Sequence, residues 1–429
     1  MTSFWQDIRY SLRMIAKAPG FAGIAILTLA LGIGANTAIF SVVKAVLLHS
    51  LPFKNADQLV VLREDVKNRG AESISFPNFQ DWEKQNHVFS RMAAYTDAVF
   101  IVSGVTSSEC IYGEEVSQNY FDILGISATK GRVFLPGENR TPLRDAVAMI
   151  GYGLWERRFG SNPDIVGKSI TLNHAKFTIV GVAPRGFLGI SDQSEAWIPV
   201  MMRDAAWPEV AKFDFLHNRG VHWLRGIAVL KRGVSIAQAQ TEMSTIASNL
   251  AAAFPNENRD RGAAVKSAKE EYIGSFRSPL YILLSAVGFV LLIGCANVAN
   301  LVLTRTASRE REIAIRLALG AGRSRLMRQF ITESLLLSAA GALLGFAIAE
   351  WGLSLLVAAL PVTFPTFTHV RLDLGVLVFT CVLMMATGIL IGLIPALTAG
   401  RDSLNEPLKE GAKGTTGLRG RRIGAALVV

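Results

Sequence analysis

Cysteine, histidine and charge are all scarce in this chain, and each scarcity closes a route. Its three cysteines are Cys110, Cys295 and Cys381, the last two inside apolar runs, so they build no disulfide framework. The six histidines (His49, His87, His174, His217, His222, His369) are scattered. His217 and His222 lie close in sequence, yet no acid or cysteine joins them at ligand spacing, so no metal site is expected. No nucleophile–base–acid set emerges either, and no catalytic residue is assigned. Gly167-Lys168-Ser169 imitates the end of a phosphate-binding loop, but six residues separate Gly160 from Gly167 where four are required. The ITLN that follows reads as strand, so no helix N-terminus would face a phosphate. The chain is thus expected to hold no nucleotide or other cofactor.

Charged residues make up only 18% of the chain while hydrophobic ones make up 50%, with a mean hydropathy of +0.34. That is too apolar for an ordinary soluble protein and too polar for one lying wholly in a membrane. Four apolar runs reach the roughly 20 residues that cross a hydrocarbon core. They are Phe21–Leu48, without a charge until Lys44, then Pro279–Leu303, Phe330–Leu360 and Gly375–Leu397. The first is too long for the h-region of a signal peptide, about 7–15 residues, and reads as a retained span. Net charge is +10, concentrated in residues 1–20 (+2), 304–328 (+5) and 401–429 (+3). Positive residues resist translocation, so these segments face the cytoplasm. The basic balance reports topology, and no nucleic-acid partner is expected.

The division that follows is a cytoplasmic amphipathic lead-in at 1–20 and a first span at 21–48. An outer domain fills 49–278, followed by a second span at 279–303 and a cytoplasmic loop at 304–329. A third span covers 330–360, an outer loop 361–372 and a fourth span 373–400. The remainder, 401–429, is a cytoplasmic tail whose RGRRIGAALVV resembles the opening of a fifth span. In the lead-in, Phe4, Trp5, Ile8, Leu12 and Ile15 recur at helical spacing among Arg9, Arg13 and Lys17. Gly32 and Gly34 would let the first span pack closely, and Asn297 and Asn300 would hydrogen-bond from the second span across helices. Trp351 suits an interfacial anchor beside Glu350.

The outer domain alternates strand-like runs at 59–62, 177–184 and 224–233 with helical patterns over Pro77–Tyr95, Tyr152–Phe159 and Ile236–Phe254. Ser235 is the expected N-cap of the last. About 230 residues of this kind make one large or two small α/β or α+β units.

The loop between the second and third spans is the organising stretch. It holds seven arginines against Glu310 and Glu312, and it reads as a short helix broken at Gly320 and Gly322. Ile313, Leu317 and Gly320 would share one side, flanked by Glu312 and Arg316. Such a stripe serves either to dock a soluble partner or simply to set topology at the lipid surface.

RYSLRMIAKAPGFAGIAILTLALGIGANTAIFSVVKAVLLHSLPF (9–53), CANVANLVLTRTASREREIAIRLALGAGRSRLMRQFITESLLL (295–337) and IVGKSITLNHAKFTIVGVAPRGF (165–187) together resemble the MacB/FtsX-type permeases of ABC transporters. The opening is similar to the first half of the acidobacterial-type duplicated permeases of that group. The resemblance implies an α-helical membrane protein of four transmembrane helices with an α+β, MacB-like core domain outside the bacterial inner membrane. It further implies a non-catalytic permease subunit, paired as a homodimer or with a second permease half. A separate cytoplasmic ABC ATPase would carry ATP and magnesium, and a periplasmic adaptor could join outside. Its ATPase-coupling element would be Glu310, Arg311, Glu312, Ile313, Arg316, Leu317, Ala318, Leu319, Gly320 and Ala321. The implied function is mechanotransmission, in which ATP hydrolysis drives motion of the outer domain to export or extract a substrate. An FtsX-like regulator of a periplasmic cell-wall hydrolase and a membrane-anchored receptor are the alternatives.

Overall fold

A computed structural model describes residues 2–48, 51–103, 108–307, 323–359 and 373–399. The chain divides into two compact units, one formed mainly by its helical segments and one by residues 49–275.

The helical unit opens with a lead helix, Thr2–Ala16, followed by a first span, Pro19–Val43. Pro19 suits the first turn, where its missing N–H has no helical partner to lose. The first span continues as a π-turn over Lys44–Leu48. The second span is one helix of 40 residues, Ala268–Ala307, the third runs Arg323–Ala359 and the fourth Leu374–Ala399. All 4 spans are long and apolar enough to cross a membrane. Asp373 starts the fourth by accepting from the backbone N–H of Val376 at 3.0 Å, and it pairs with Lys44 at 2.5 Å. The expected outer loop at 361–372 and the tail at 401–429 lie outside the described residues.

The outer unit is built on one 12-stranded sheet. Its strands are β1 (Leu59–Val66), β2 (Gly70–Glu72), β3 (Ile74–Ser75), β4 (Phe89–Ser103), β5 (Glu109–Val116) and β6 (Lys130–Gly131). They continue with β7 (Val147–Ile150), β8 (Ser169–Leu172), β9 (Ala175–Val182), β10 (Ala196–Pro199), β11 (His222–Leu230) and β12 (Arg261–Ser267). The main path is β12-β1-β11-β4-β5-β10-β7-β9-β6, antiparallel except for the β5–β10 and β7–β9 pairs.

Two cores share this sheet, and β4 belongs to both. Met92 and Ala94 pack with Val60, Leu62, Phe79, Trp82 and Met243 at one end, while Ala98, Phe100 and Val102 pack with Leu154, Phe177 and Ile179 at the other. The helix Ile236–Ala253 is opened by Ser235 as expected. The Ser235 hydroxyl accepts from Gln238 N at 3.2 Å, and Gln238 Oε1 accepts from Ser235 N at 2.9 Å. Tyr152–Phe159 is also helical.

The expected helix over Pro77–Tyr95 is too long. It stops at Gln85, and Phe89 already begins β4. Asn86 ends it by donating from Nδ2 to the carbonyls of Trp82 and Glu83, at 2.9 and 3.0 Å, so the last turn is satisfied and the chain leaves extended. The imitation phosphate loop is a turn at Gly167 (φ +84°) into β8, which forms a hairpin with β9.

Candidate functional site

Where the apolar bundle ends on the cytoplasmic side, arginines tie its helices together. Arg305, close to the end of the second span, is half-buried and reaches three other helices. Its Nη1 lies 3.3 Å from Glu333 Oε1 of the third span, its Nη2 donates to Met14 O of the lead helix at 2.7 Å, and its guanidinium lies 4.7 Å from the Phe21 ring of the first span. Met14 O belongs to the last turn of the lead helix, where Arg13 O and Ile15 O take the backbone N–H groups of Lys17 and Ala18. Arg305 therefore supplies both a donor and a cation at the negative end of that helix. Near the start of the third span, Arg328 donates to Asp7 Oδ2 of the lead helix through Nε at 2.8 Å, with Nη2 2.7 Å from the same oxygen. Asp7 is buried. Charge-assisted bonds of this kind are about twice as strong as neutral ones.

Higher in the bundle, contact between helices depends on small residues. A Cβ on Gly34 would lie 2.7 Å from the carbonyl oxygen of Gly345, and one on Gly345 would lie 2.7 Å from that of Ala30. Gly341, one turn earlier on the third span, faces Leu29, whose Cβ would lie 2.7 Å from an added Cβ. Gly388 and Gly392 of the fourth span fit against Leu335 and Ile331 of the third. These are two Gly-x-x-x-Gly pairs, at 341–345 and 388–392, a motif that permits close approach of membrane helices. Gly32 faces Leu291, whose Cδ1 would lie 2.7 Å from an added Cβ.

Polar ties run between the same helices. Asn36 Nδ2 donates to Val287 O of the second span at 2.9 Å, Thr37 and Thr380 hydroxyls meet at 3.0 Å, and Thr387 donates to Ser338 at 3.4 Å. Asn297 is exposed and Asn300 half-buried. Neither forms a side-chain hydrogen bond among the described residues. Trp351 and Glu350 are exposed. The coupling residues at 310–321 lie outside the described residues. The sequence reading missed Arg305 and Arg328 as ties, counting them only as topology charges. It also passed over both Gly-x-x-x-Gly pairs, although their spacing is visible.

The outer unit buries several carboxylates. Glu64 of β1 accepts from Asn78 at 2.8 Å and Arg261 at 2.7 Å, with His222 Nδ1 2.9 Å away. Burial alone would raise its pKa, but His222, Asn78 and Arg261 together hold it below the usual carboxylate value. Glu114 of β5 accepts from Tyr120 OH at 2.5 Å, Trp197 Nε1 at 2.8 Å and Ser191 N at 2.8 Å; here burial prevails and raises the pKa. Glu115 pairs with Arg203 at 2.5 Å, and Arg203 lies over the rings of Phe215 and Trp223. Contrary to the expectation from spacing, His217 and His222 each have an acid beside them, Asp214 at 2.7 Å and Glu64 at 2.9 Å. The pairs are separate, because Glu64 reaches His222 from a different strand. Among the described residues no group of three His, Cys, Asp or Glu could hold a metal ion.

Residues 22–246, just over half of the chain, match the family model of the MacB-like periplasmic core domain, and residues 284–404 match the FtsX-like permease C-terminal. The chain belongs to the MacB/FtsX-type permeases of ABC transporters. As a member it is a multi-pass inner-membrane protein whose α+β core domain lies in the periplasm between the first and second spans. The chain is 24% identical over 369 residues to the macrolide export ATP-binding/permease protein MacB of Salmonella paratyphi A, covering 81% of this permease and 53% of that protein. It is 28% identical over 260 residues to the pyoverdine export ATP-binding/permease protein PvdT of Pseudomonas syringae pv. tomato, covering 60% and 36% respectively. The permease thus spans about half the length of the relatives it matches, or less. A solved structure of the periplasmic region of MacB from Actinobacillus actinomycetemcomitans aligns with a TM-score of 0.39 at 10% identity, covering 54% of this chain and 94% of that one.

Proposed function

We propose that this permease couples ATP hydrolysis on a separate cytoplasmic ABC ATPase to motion of its periplasmic domain, and so drives export or extraction of a substrate. ATP and magnesium belong to that partner chain. The observation that carries this reading is the second span. It is an unbroken helix of 40 residues, about 60 Å long at 1.5 Å per residue. It begins directly after β12, and its first turns are bound within the outer unit by Tyr272 to Tyr95 at 2.5 Å and Glu271 to Arg63 at 3.3 Å. Its far end carries Arg305, at the entrance to the coupling segment. Force applied there follows helical backbone toward β12, with one hydrogen bond of the ladder missing at Pro279.

The coupling segment supplies the docking surface in this reading. We assign Leu317, with Ile313 and Gly320, to a groove on the ATPase, where burying one large aliphatic side chain would contribute about 1.5–3 kcal/mol. Glu312 and Arg316 flank it and add under about 1 kcal/mol. The test is co-expression of the permease with the ABC ATPases of its host, comparing the parent protein with Leu317→Asp. The variant is expected to insert normally and to lose both ATPase association and ATP turnover. Equal recovery and equal turnover would leave the segment as a topology signal and overturn the docking role.

A further inference from the structure

One side of the lead helix fits the role of a surface anchor. Trp5 and Leu12 are exposed, as are Arg9 and Arg13. The other side does not, because Asp7 and Ser11 are buried. We propose that Arg305 and Arg328 make this helix a working part of the transmission path. They clamp it to the cytoplasmic ends of the second and third spans, so that displacement of those ends passes to the first span as well.

The geometry supports a clamp and not a single tie. The two arginines come from different spans, and those spans are the two that the coupling segment joins. They grip the lead helix about two turns apart, Arg328 at Asp7 near its middle and Arg305 at Met14 in its last turn. Arg305 also binds Glu333, so the second and third spans are held to each other at the same level. Only Lys17 and Ala18 separate the lead helix from the first span, and Arg305 lies over Phe21 just beyond them. A lever gripped at two points turns with whatever holds it. A lipid anchor would need neither a buried carboxylate nor an arginine on its C-terminal carbonyl.

Arg305 and Arg328 are positioning residues here, since neither touches nucleotide or substrate. The inference rests on the ATP-driven transmission proposed above, and the experiment separates the two. The full-length permease with its ATPase is placed in lipid nanodiscs and spin-labelled at Trp5→Cys on the lead helix and Leu377→Cys on the fourth span. The background carries Cys110→Ala and Cys381→Ala. Distances are measured without nucleotide and after trapping with ATP and vanadate. The parent protein is expected to shift its distance distribution on trapping. Arg305→Lys, which keeps the charge but loses the planar fork, is expected to lose that shift while still co-purifying with the ATPase. Arg328→Asp should lose it too, and Asp7→Arg added to Arg328→Asp should bring it back.

A full shift in Arg305→Lys overturns the clamp. So does loss of ATPase association in that variant, because Arg305 would then belong to docking. If Arg305→Lys does not fold, the Asp7/Arg328 exchange decides: a shift in Arg328→Asp alone, or none in the exchanged pair, overturns the inference. A parent protein that binds no ATPase refutes the transmission reading itself.

Discussion

Gly34 and Gly345 meet with no side chain between them, so closely that a Cβ on Gly34 would stand 2.7 Å from the carbonyl oxygen of Gly345. Backbone cannot yield as a side-chain tip can. Gly345→Leu is therefore expected to force the first and third spans apart, costing about 1–3 kcal/mol, the usual range for overpacking. Gly32→Ala meets the flexible end of Leu291 and should cost much less. Thermal unfolding of the two variants in detergent measures the difference.

The Glu64 cluster predicts a specific acid sensitivity. Its folded pKa lies below the ordinary value of 4.5, so the unfolded chain takes up the proton first. The stability it contributes is present above about pH 4.5 and is lost as the pH falls through the lower folded value. Glu64→Gln should lower stability at neutral pH and flatten the loss on acidification. Unfolding midpoints measured from pH 7 down to pH 3 give the slope for each protein.

Much of this fold is readable from the chain, because its strongest signals are long. Four apolar runs and the charge between them determine the spans, and Ser235 with Gln238 marks a helix start that any reader of capping patterns would find. Shorter signals fail for physical reasons. Residues after Asn86 fit a helical period as well as an alternating one, and only pairing with β5 and β11 makes them a strand. Arg305 looks the same as its neighbours, since an arginine that sets topology and one that ties helices differ only in what lies beside them. Asn36 stands out as a polar residue in an apolar run, but its partner, Val287 O, is 251 positions away. Gly341 and Gly345 could have been found by spacing, though not their meeting with Ala30 and Gly34.

Pro279 lies inside the second span, near where the two units divide in sequence. It has no N–H to give the carbonyl of Ser275, and an interior proline costs a helix about 3 kcal/mol. Pro279→Ala is expected to raise the melting temperature of the permease. If bending at this point accompanies transmission, ATP turnover by the assembled complex falls in the same variant. Thermal unfolding and turnover, read on one preparation, separate the effects.

Topology has a direct check. Ser108 is exposed in the periplasmic domain, and Ser308 comes just after the second span in the sequence, in the segment whose positive charge assigns it to the cytoplasm. In a Cys110→Ala background, Ser108→Cys should react with an impermeant thiol reagent in whole cells, and Ser308→Cys should react only after lysis.

Hydrogen exchange across the junction between β12 and the second span tests mechanotransmission most directly. The permease and its ATPase are reconstituted in nanodiscs, and exchange over residues 261–275 is compared without nucleotide and with ATP and vanadate. Mechanotransmission predicts that trapping the ATPase changes protection in these residues, although they lie across the membrane from the nucleotide. Unchanged exchange in a complex that hydrolyses ATP at full rate would contradict it.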